Sequence, residues 1–303
     1  MRRFIQLSSR WMLPIATARC VSSAASTSAS DLVIAKESPL EKVFILEMNN
    51  PKANVLSPDF ISAFLSQINT LCDPDKERSR GIILTSAVTG IFSGGLDINE
   101  LFNNQEQGRF AHYWNQFQQL FTTIHTLPIP LMAAINGHAA AAGCIISLAC
   151  DYRVMACTHP KNGKNLTIGI SATKHGFCVP PYVVASLEHV VGFRKAEEII
   201  TNGLMLTAQE ALEYGLVDHV VEGADEAIVP CLEEMEKILQ LPSPVPYWIA
   251  KDFSRRQVVA PLSSPALRQA DTVNFYRMMQ DPTVRSVLGK HIAGLGSKKT
   301  TSD

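Results

Sequence analysis

The stretch AINGHAAAAGCIISLACDYRVMA, residues Ala134 to Ala156, sets the fold class. It opens on the end of an apolar run, Leu131 to Ile135, whose length and composition suit a strand buried on both faces. Asn136, Gly137 and His138 turn the chain, and Ala139 to Cys150 then reads as a helix so rich in small side chains that it must pack closely against a neighbour. Asp151 to Met155 returns to strand. A buried strand, a glycine turn, a close-packed helix and a second strand are the parts of an α/β fold.

The same alternation extends outward. Upstream, Leu32 to Ala35 and Lys42 to Met48 form a hairpin that Asn49, Asn50 and Pro51 stop. Ser57 before Pro58 marks a helix start, and Phe60, Ile61, Phe64, Leu65, Ile68 and Leu71 recur on one face of that helix. GIILTS, Gly81 to Ser86, is a second buried strand, and IFSGGL, Ile91 to Leu96, runs into a glycine loop with a helix opening near Asp97. Phe110, Trp114, Phe117, Leu120, Phe121 and Ile124 define a long amphipathic helix ended by Pro128 and Pro130, its aromatics serving as core.

Downstream, a turn at Pro160 to Gly163 precedes a strand at Leu166 to Ile170. Beyond Pro180 the strand signal is confined to Leu216 to Val221. Thr207 and Glu210 have capping-box spacing. Ala224 to Leu239, Pro246 to Phe253, Pro265 to Met279 and Pro282 to Ala293 read as helices, the last stopped by Gly294. The expected organisation is a core over residues 31–222 and a helical region over residues 223–303.

The chain has 303 residues, 46% of them apolar and 18% charged, which is ample for a large core and excludes disorder as the main description. Lys and Arg total 27 against 28 Asp and Glu, so nothing in the balance favours a nucleic-acid partner. The seven cysteines form no CxxC pair and no metal-ligand spacing with His, and a reducing compartment fits them. No apolar stretch approaches the roughly 20 residues of a membrane span.

Residues 1–30 carry Arg2, Arg3, Arg10 and Arg19, many Ser and Ala, and no acidic residue, the composition of a mitochondrial transit peptide. Its removal takes the formal charge from -1 to -5, four arginines being lost. The expected location is the mitochondrial matrix.

Two turns carry the candidate chemistry: Phe92 to Asp97, FSGGLD, and Asn136 to Cys144, NGHAAAAGC. Each presents backbone N–H groups where a strand gives way to a helix, and two such donors aimed at one oxygen make an oxyanion hole. Together with GIILTSAVTGIFSGGLDINEL (Gly81 to Leu101), AINGHAAAAGCIISLACDYRVMA and ALEYGLVDHVV (Ala211 to Val221), these motifs resemble the crotonase (enoyl-CoA hydratase/isomerase) superfamily, and within it the mitochondrial delta-3,delta-2-enoyl-CoA isomerases.

The resemblance implies a ClpP-like α/β spiral of ββα units with a C-terminal helical annex that drives assembly into a homotrimer or hexamer. It implies an acyl-CoA thioester as substrate, no cofactor beyond the coenzyme A of that substrate, and no metal. By position it makes Gly94 and Ala142 the oxyanion-hole donors, places Gly95, Leu96, Asp97 and Ile98 along the acyl pocket, and puts Lys52 and Ala53 at the CoA end. Asp97 reads equally as a helix cap, and Asp151 as structural. Cys144 and Cys178 read as packing residues, since neither has a base partner in sequence.

One position departs from the family. The isomerases carry their catalytic glutamate where this sequence has Ala172, and the hydratases' second glutamate falls at Ile145. Three explanations stay open. Either His175 or His138 replaces the base; or an acidic side chain from the annex enters the pocket; or the protein binds acyl-CoA without turning it over.

Overall fold

A computed structural model describes residues 31–73, 79–102 and 106–299; residues 1–30, read from the sequence as a transit peptide, lie outside them. The hairpin forms as expected, with β1 (Val33–Glu37) antiparallel to β2 (Val43–Met48). β2 then lies parallel to β3 (Gly81–Ser86), which is parallel to β5 (Leu131–Ile135), followed by β7 (Tyr152–Ala156) and β10 (His219–Val221), giving a six-stranded sheet. Every residue of β3 and β5 is buried. The cause is coverage of both faces: α1 (Pro58–Leu71) and α3 (Gln107–His125) belong to the core on one side, and α8 (Ile228–Leu239) closes the other with Cys231, Leu232 and Met235 against Ile83, Met132 and Val154.

A smaller sheet of four strands holds β4 (Gly90–Ser93), β6 (Gly137–Ala140), β8 (Thr167–Gly169) and β9 (Met205–Thr207) in that order. Each strand pair β3–β4, β5–β6 and β7–β8 thus gives one strand to each sheet before the chain turns helical. That repetition is the ββα spiral. Between the strands lie α2 (Ile98–Phe102) and α4 (Ala142–Leu148). α5 (Pro181–Val191), α6 (Phe193–Asn202) and α7 (Ala208–Tyr214) follow, α7 with both bonds of the Thr207–Glu210 capping box.

The C-terminal helices α9 (Pro244–Val259), α10 (Pro265–Gln280) and α11 (Pro282–Lys299) pack on this core. Trp114 of α3 stacks on Phe275 of α10 at 3.8 Å, so the α3 aromatics are core, as read from the sequence. Asp151 accepts from Leu131 N at 2.8 Å and pairs with Lys251 and Arg255 of α9, each at 2.7 Å. Arg255 also donates to Ala149 O at 2.7 Å, satisfying a carbonyl just past the end of α4. Asp151 is a structural anchor.

Three expectations need correction. Gly137–Ala140 is strand, and the helix begins only at Ala142. Tertiary pairing with β4 and β8 overrides the helical propensity of the alanines. Gly294 does not end the last helix, which runs to Lys299. The sequence reading missed β9, which pairs antiparallel with β8. α8, which follows residue 222, is a layer of the main sheet.

Candidate active site

β4 and β6 run parallel and side by side, so the turns that follow them emerge at the same edge of the small sheet. Gly95 stands between the two turns with φ +97°, a conformation that L side chains rarely adopt. A Cβ there would lie 3.0 Å from Ala141 Cβ, 3.1 Å from Ala140 O and 3.2 Å from Ala142 N. Gly143 is as confined, since its Cβ would stand 2.5 Å from Ser93 O. These glycines let the segments 93–96 and 140–143 touch backbone to backbone, and the predicted convergence of the two loops is present.

A third segment, 50–57, is fastened alongside. Asn54, fully buried, donates through Nδ2 to Phe92 O at 3.0 Å and to Ser86 Oγ at 2.7 Å, while its Oδ1 accepts from Asn50 N at 2.8 Å. Ser93 Oγ donates to Asn54 O at 2.8 Å, and Leu56 N donates to Gly95 O at 2.8 Å. Lys52 is exposed at the tip of this segment, and Ala53 (φ 59°) turns the chain back beside Gly94. The candidate CoA-end residues therefore adjoin the candidate acyl-pocket loop.

The amides of residues 94–97 are not equivalent. Gly94 N donates to Ala53 O at 2.9 Å, Gly95 N to Ser93 Oγ at 3.2 Å, and Asp97 N to Tyr113 Oη at 2.9 Å. Gly94 is therefore corrected as an oxyanion donor: its N–H is spent on holding the two segments together. Leu96 N alone in this loop has no acceptor among the described residues. Its direction follows from covalent geometry. Gly95 O and Leu96 N–H share one trans peptide plane, so with the carbonyl aimed at Leu56 N the N–H points away from the 50–57 segment. Sequence spacing locates this loop; which amide is left over depends on a partner some forty residues away (~40).

On the facing turn, Ala141 N donates to Gly169 O at 2.9 Å, whereas Ala142 N has no acceptor among the described residues. Ala141 holds φ 51° and ψ -114°, a strained conformation for alanine of the kind that collects at functional sites. Ala142 is buried, and its N–H remains a candidate donor.

Asp97 caps α2, its Oδ1 accepting from Asn99 N at 2.9 Å and its carbonyl from Glu100 N and Leu101 N. Leu96 and Ile98 pack partly buried against the core. Glu100 is buried and held by Arg109 through two bonds, of 2.5 and 3.2 Å.

Gly169 leads into a 3-10 turn over Ala172–His175. Ala172 is 6% exposed and belongs to the hydrophobic core. His175 stays one turn away, with Nε2 3.4 Å from Ser171 Oγ. His138 is separated from this edge. It sits near the start of β6, level with Thr167, and its Nδ1 accepts from Thr167 N at 3.1 Å and lies 3.0 Å from Thr167 Oγ1. Strand rise puts it about 7 Å back from the strand ends, Ala140 and Gly169, that lead to Ala142 and Ala172. Burial, and then neighbouring His159, lower its pKa.

Among the described residues, the helices α10 and α11 carry one carboxylate, that of Asp271. Asp271 of α10 accepts from Trp114 Nε1 and Gln118 Nε2, both at 2.8 Å, and α11 contains no acidic residue. α11 nevertheless reaches the site's rim. Val287 lies 3.1 Å from where a Gly176 Cβ would stand, and Arg285 donates to Phe102 O at 3.2 Å. Cys144 is buried with its thiol pushed up to about 12 by burial, which fits packing and not nucleophilic attack. Among the described residues no cluster of His, Cys, Asp or Glu could hold a metal ion, and no helix is long and apolar enough to cross a membrane.

Known proteins resemble this chain in sequence and fold. The family profile described as Enoyl-CoA hydratase/isomerase matches residues 40–291. The chain belongs to the enoyl-CoA hydratase/isomerase family. Within that family it is 32% identical over 257 residues to the Mus musculus protein named "Enoyl-CoA delta isomerase 1, mitochondrial", the match covering 85% of each chain. The Homo sapiens protein of the same name is 30% identical over 264 residues, covering 85% of this chain and 81% of that one. The crystal structure of human mitochondrial delta3-delta2-enoyl-CoA isomerase matches with a TM-score of 0.81 at 28% identity, covering 88% of this chain and 99% of that chain. A methylmalonyl-CoA decarboxylase structure, at 21% identity and a TM-score of 0.71, shares the fold alone. The crotonase fold expected from the motifs is the fold observed.

Proposed function

We propose that this chain binds acyl-CoA thioesters and shifts a 3-enoyl-CoA double bond to the 2-trans position, at a rate limited by the methyl group at Ala172. The observation that carries the reading is the pair of unengaged amides, Leu96 N–H and Ala142 N–H, on either side of Gly95. Removing the C2 proton sends the C–H electron pair toward the thioester, and the charge settles on the carbonyl oxygen between those donors. Returning a proton at C4 moves the double bond from C3=C4 to C2=C3. The same base serves both ends.

With no carboxylate at residue 172, His175 is the titratable side chain one turn away, and an imidazole suits general-base work near neutral pH. The Lys52–Ala53 turn takes the CoA end of the substrate, whose coenzyme is the only cofactor required. Two further observations support the setting. The relatives are named as mitochondrial, in keeping with action in the matrix during oxidation of unsaturated fatty acids. Val245, Trp248, Ile249 and Phe253 expose an apolar stripe along α9, in keeping with a homotrimer or hexamer.

Conversion of 3-hexenoyl-CoA, followed by the absorbance of the conjugated product, tests the reading, with His175→Gln as companion. Turnover that falls in the variant supports it. A second reading, an acyl-CoA-binding homologue without turnover, is favoured by Ala172 itself and by the commitment of Asp271 and Glu100 to other partners. Acyl-CoA binding with no conversion by the purified protein would establish that second reading.

A further inference from the structure

Resting on the thioester-binding reading above, we infer that Tyr113 is a positioning residue that aims the Leu96 amide at the thioester oxygen. Tyr113 lies in the middle of α3 and is 1% exposed. Its phenol leaves the helix and enters the gap between segments 50–57 and 93–97. There the hydroxyl donates to Leu56 O at 2.7 Å and accepts from Asp97 N at 2.9 Å.

Leu56 and Leu96 pair as a single parallel bridge. One rung is direct, from Leu56 N to Gly95 O at 2.8 Å. In the other, where Asp97 N would face Leu56 O, the phenol takes both groups. Leu96 is therefore fixed from both sides. The bond to Gly95 O orients the peptide plane that contains Leu96 N–H, and the phenol orients the next plane, through Asp97 N. In extended backbone successive N–H groups point to opposite sides, so holding Asp97 N–H toward Tyr113 holds Leu96 N–H toward the Ala142 turn.

No other side chain is bonded to both segments at this rung among the described residues. Burial raises the phenol's pKa far above its ordinary value, so it remains a neutral donor and acceptor throughout the working range of pH. Its contribution is to orientation.

The test is the carbonyl stretch of a bound acyl-CoA carrying 13C at the thioester carbon, compared between wild-type protein and Tyr113→Phe. In the wild type the stretch moves to lower frequency on binding, because two N–H donors polarise the carbonyl. In Tyr113→Phe most of that displacement is lost while affinity for free CoA is kept, and where turnover is measurable kcat falls by about 100-fold, the scale of an ångström of misplacement. A purely structural role would lower the melting temperature and leave the stretch of the bound thioester unchanged, and that result overturns the inference. If Tyr113→Phe does not fold, p-aminophenylalanine at position 113, which keeps a donor but accepts poorly, carries the test, and an undiminished displacement there overturns the inference equally. A wild-type protein that binds acyl-CoA with no displacement refutes the thioester reading itself, which keeps the two failures distinct.

Discussion

Ala172→Glu asks whether this site lacks only a base. Residue 172 is the first of a 3-10 turn that follows β8, and β8 runs parallel to β6 and so leads to the edge from which the loops 93–96 and 140–143 emerge. At 6% exposure a carboxylate there is poorly solvated, and desolvation raises its pKa toward the range in which a general base works best. A positioned base contributes about 100- to 10,000-fold, or roughly 2.7 to 5.4 kcal/mol of barrier. Against that stands the cost of enlarging a packed side chain, about 1 to 3 kcal/mol of stability. The expected variant thus melts earlier but converts 3-hexenoyl-CoA at least about 100-fold faster in kcat/KM than the wild type. A folded variant that binds acyl-CoA with wild-type affinity and gains less than about tenfold refutes the reasoning, because the rest of the site would then be incompetent. Loss of a pre-existing activity would show that another group, His175 foremost, already reaches that space.

Three further outcomes follow from the same geometry. Gly95→Ala places a methyl 3.0 to 3.2 Å from Ala141 and Ala142 at φ +97°, so it should spread the two turns and cost about 100-fold or more in kcat, with a modest loss of melting temperature; wild-type kinetics would contradict the arrangement. Asp151→Ala leaves Lys251 and Arg255 buried without their counter-charge, for an expected loss of about 3 to 5 kcal/mol in urea unfolding, and a loss below about 1 kcal/mol would show that the anchor is dispensable. His125, enclosed between Phe121 O and Ser186 Oγ, has its pKa pulled by burial down to about 3, below its unfolded value, so the unfolded chain binds the extra proton. Its stabilising contribution is whole above about pH 6.5 and declines as pH falls toward about 3, by up to roughly 1.4 kcal/mol per unit. An NMR titration in which this ring protonates near pH 6.5 in the folded protein would contradict that.

What the sequence disclosed was whatever depends on local pattern. GIILTS reads as buried strand because both of its faces are covered, and Thr207 with Glu210 reads as a capping box because both of its bonds close within one turn. Gly137 and His138 read as turn, and Ala139 and Ala140 as helix, because nothing local records that β4 and β8 flank them. The site shows the same division. Which two loops meet was legible through the family resemblance that their motifs carry, since neither loop is specific by itself. Which amide stays free was not, because Gly94 N–H is claimed by Ala53 O across the fold and Leu96 N–H is released by the peptide plane it shares with Gly95 O. His138 looks near the site in sequence and lies at the far end of the same short strand. Tyr113 gave no signal at all, since a buried tyrosine in an aromatic helix face reads as core.

A crystal structure with a bound, non-isomerisable acyl-CoA thioester bears most directly on the central claim. The carbonyl oxygen should lie about 2.7 to 3.1 Å from both Leu96 N and Ala142 N, with Gly94 N still bonded to Ala53 O. A carbonyl oxygen out of reach of both amides, or one that displaces Ala53 O from Gly94 N, would contradict it.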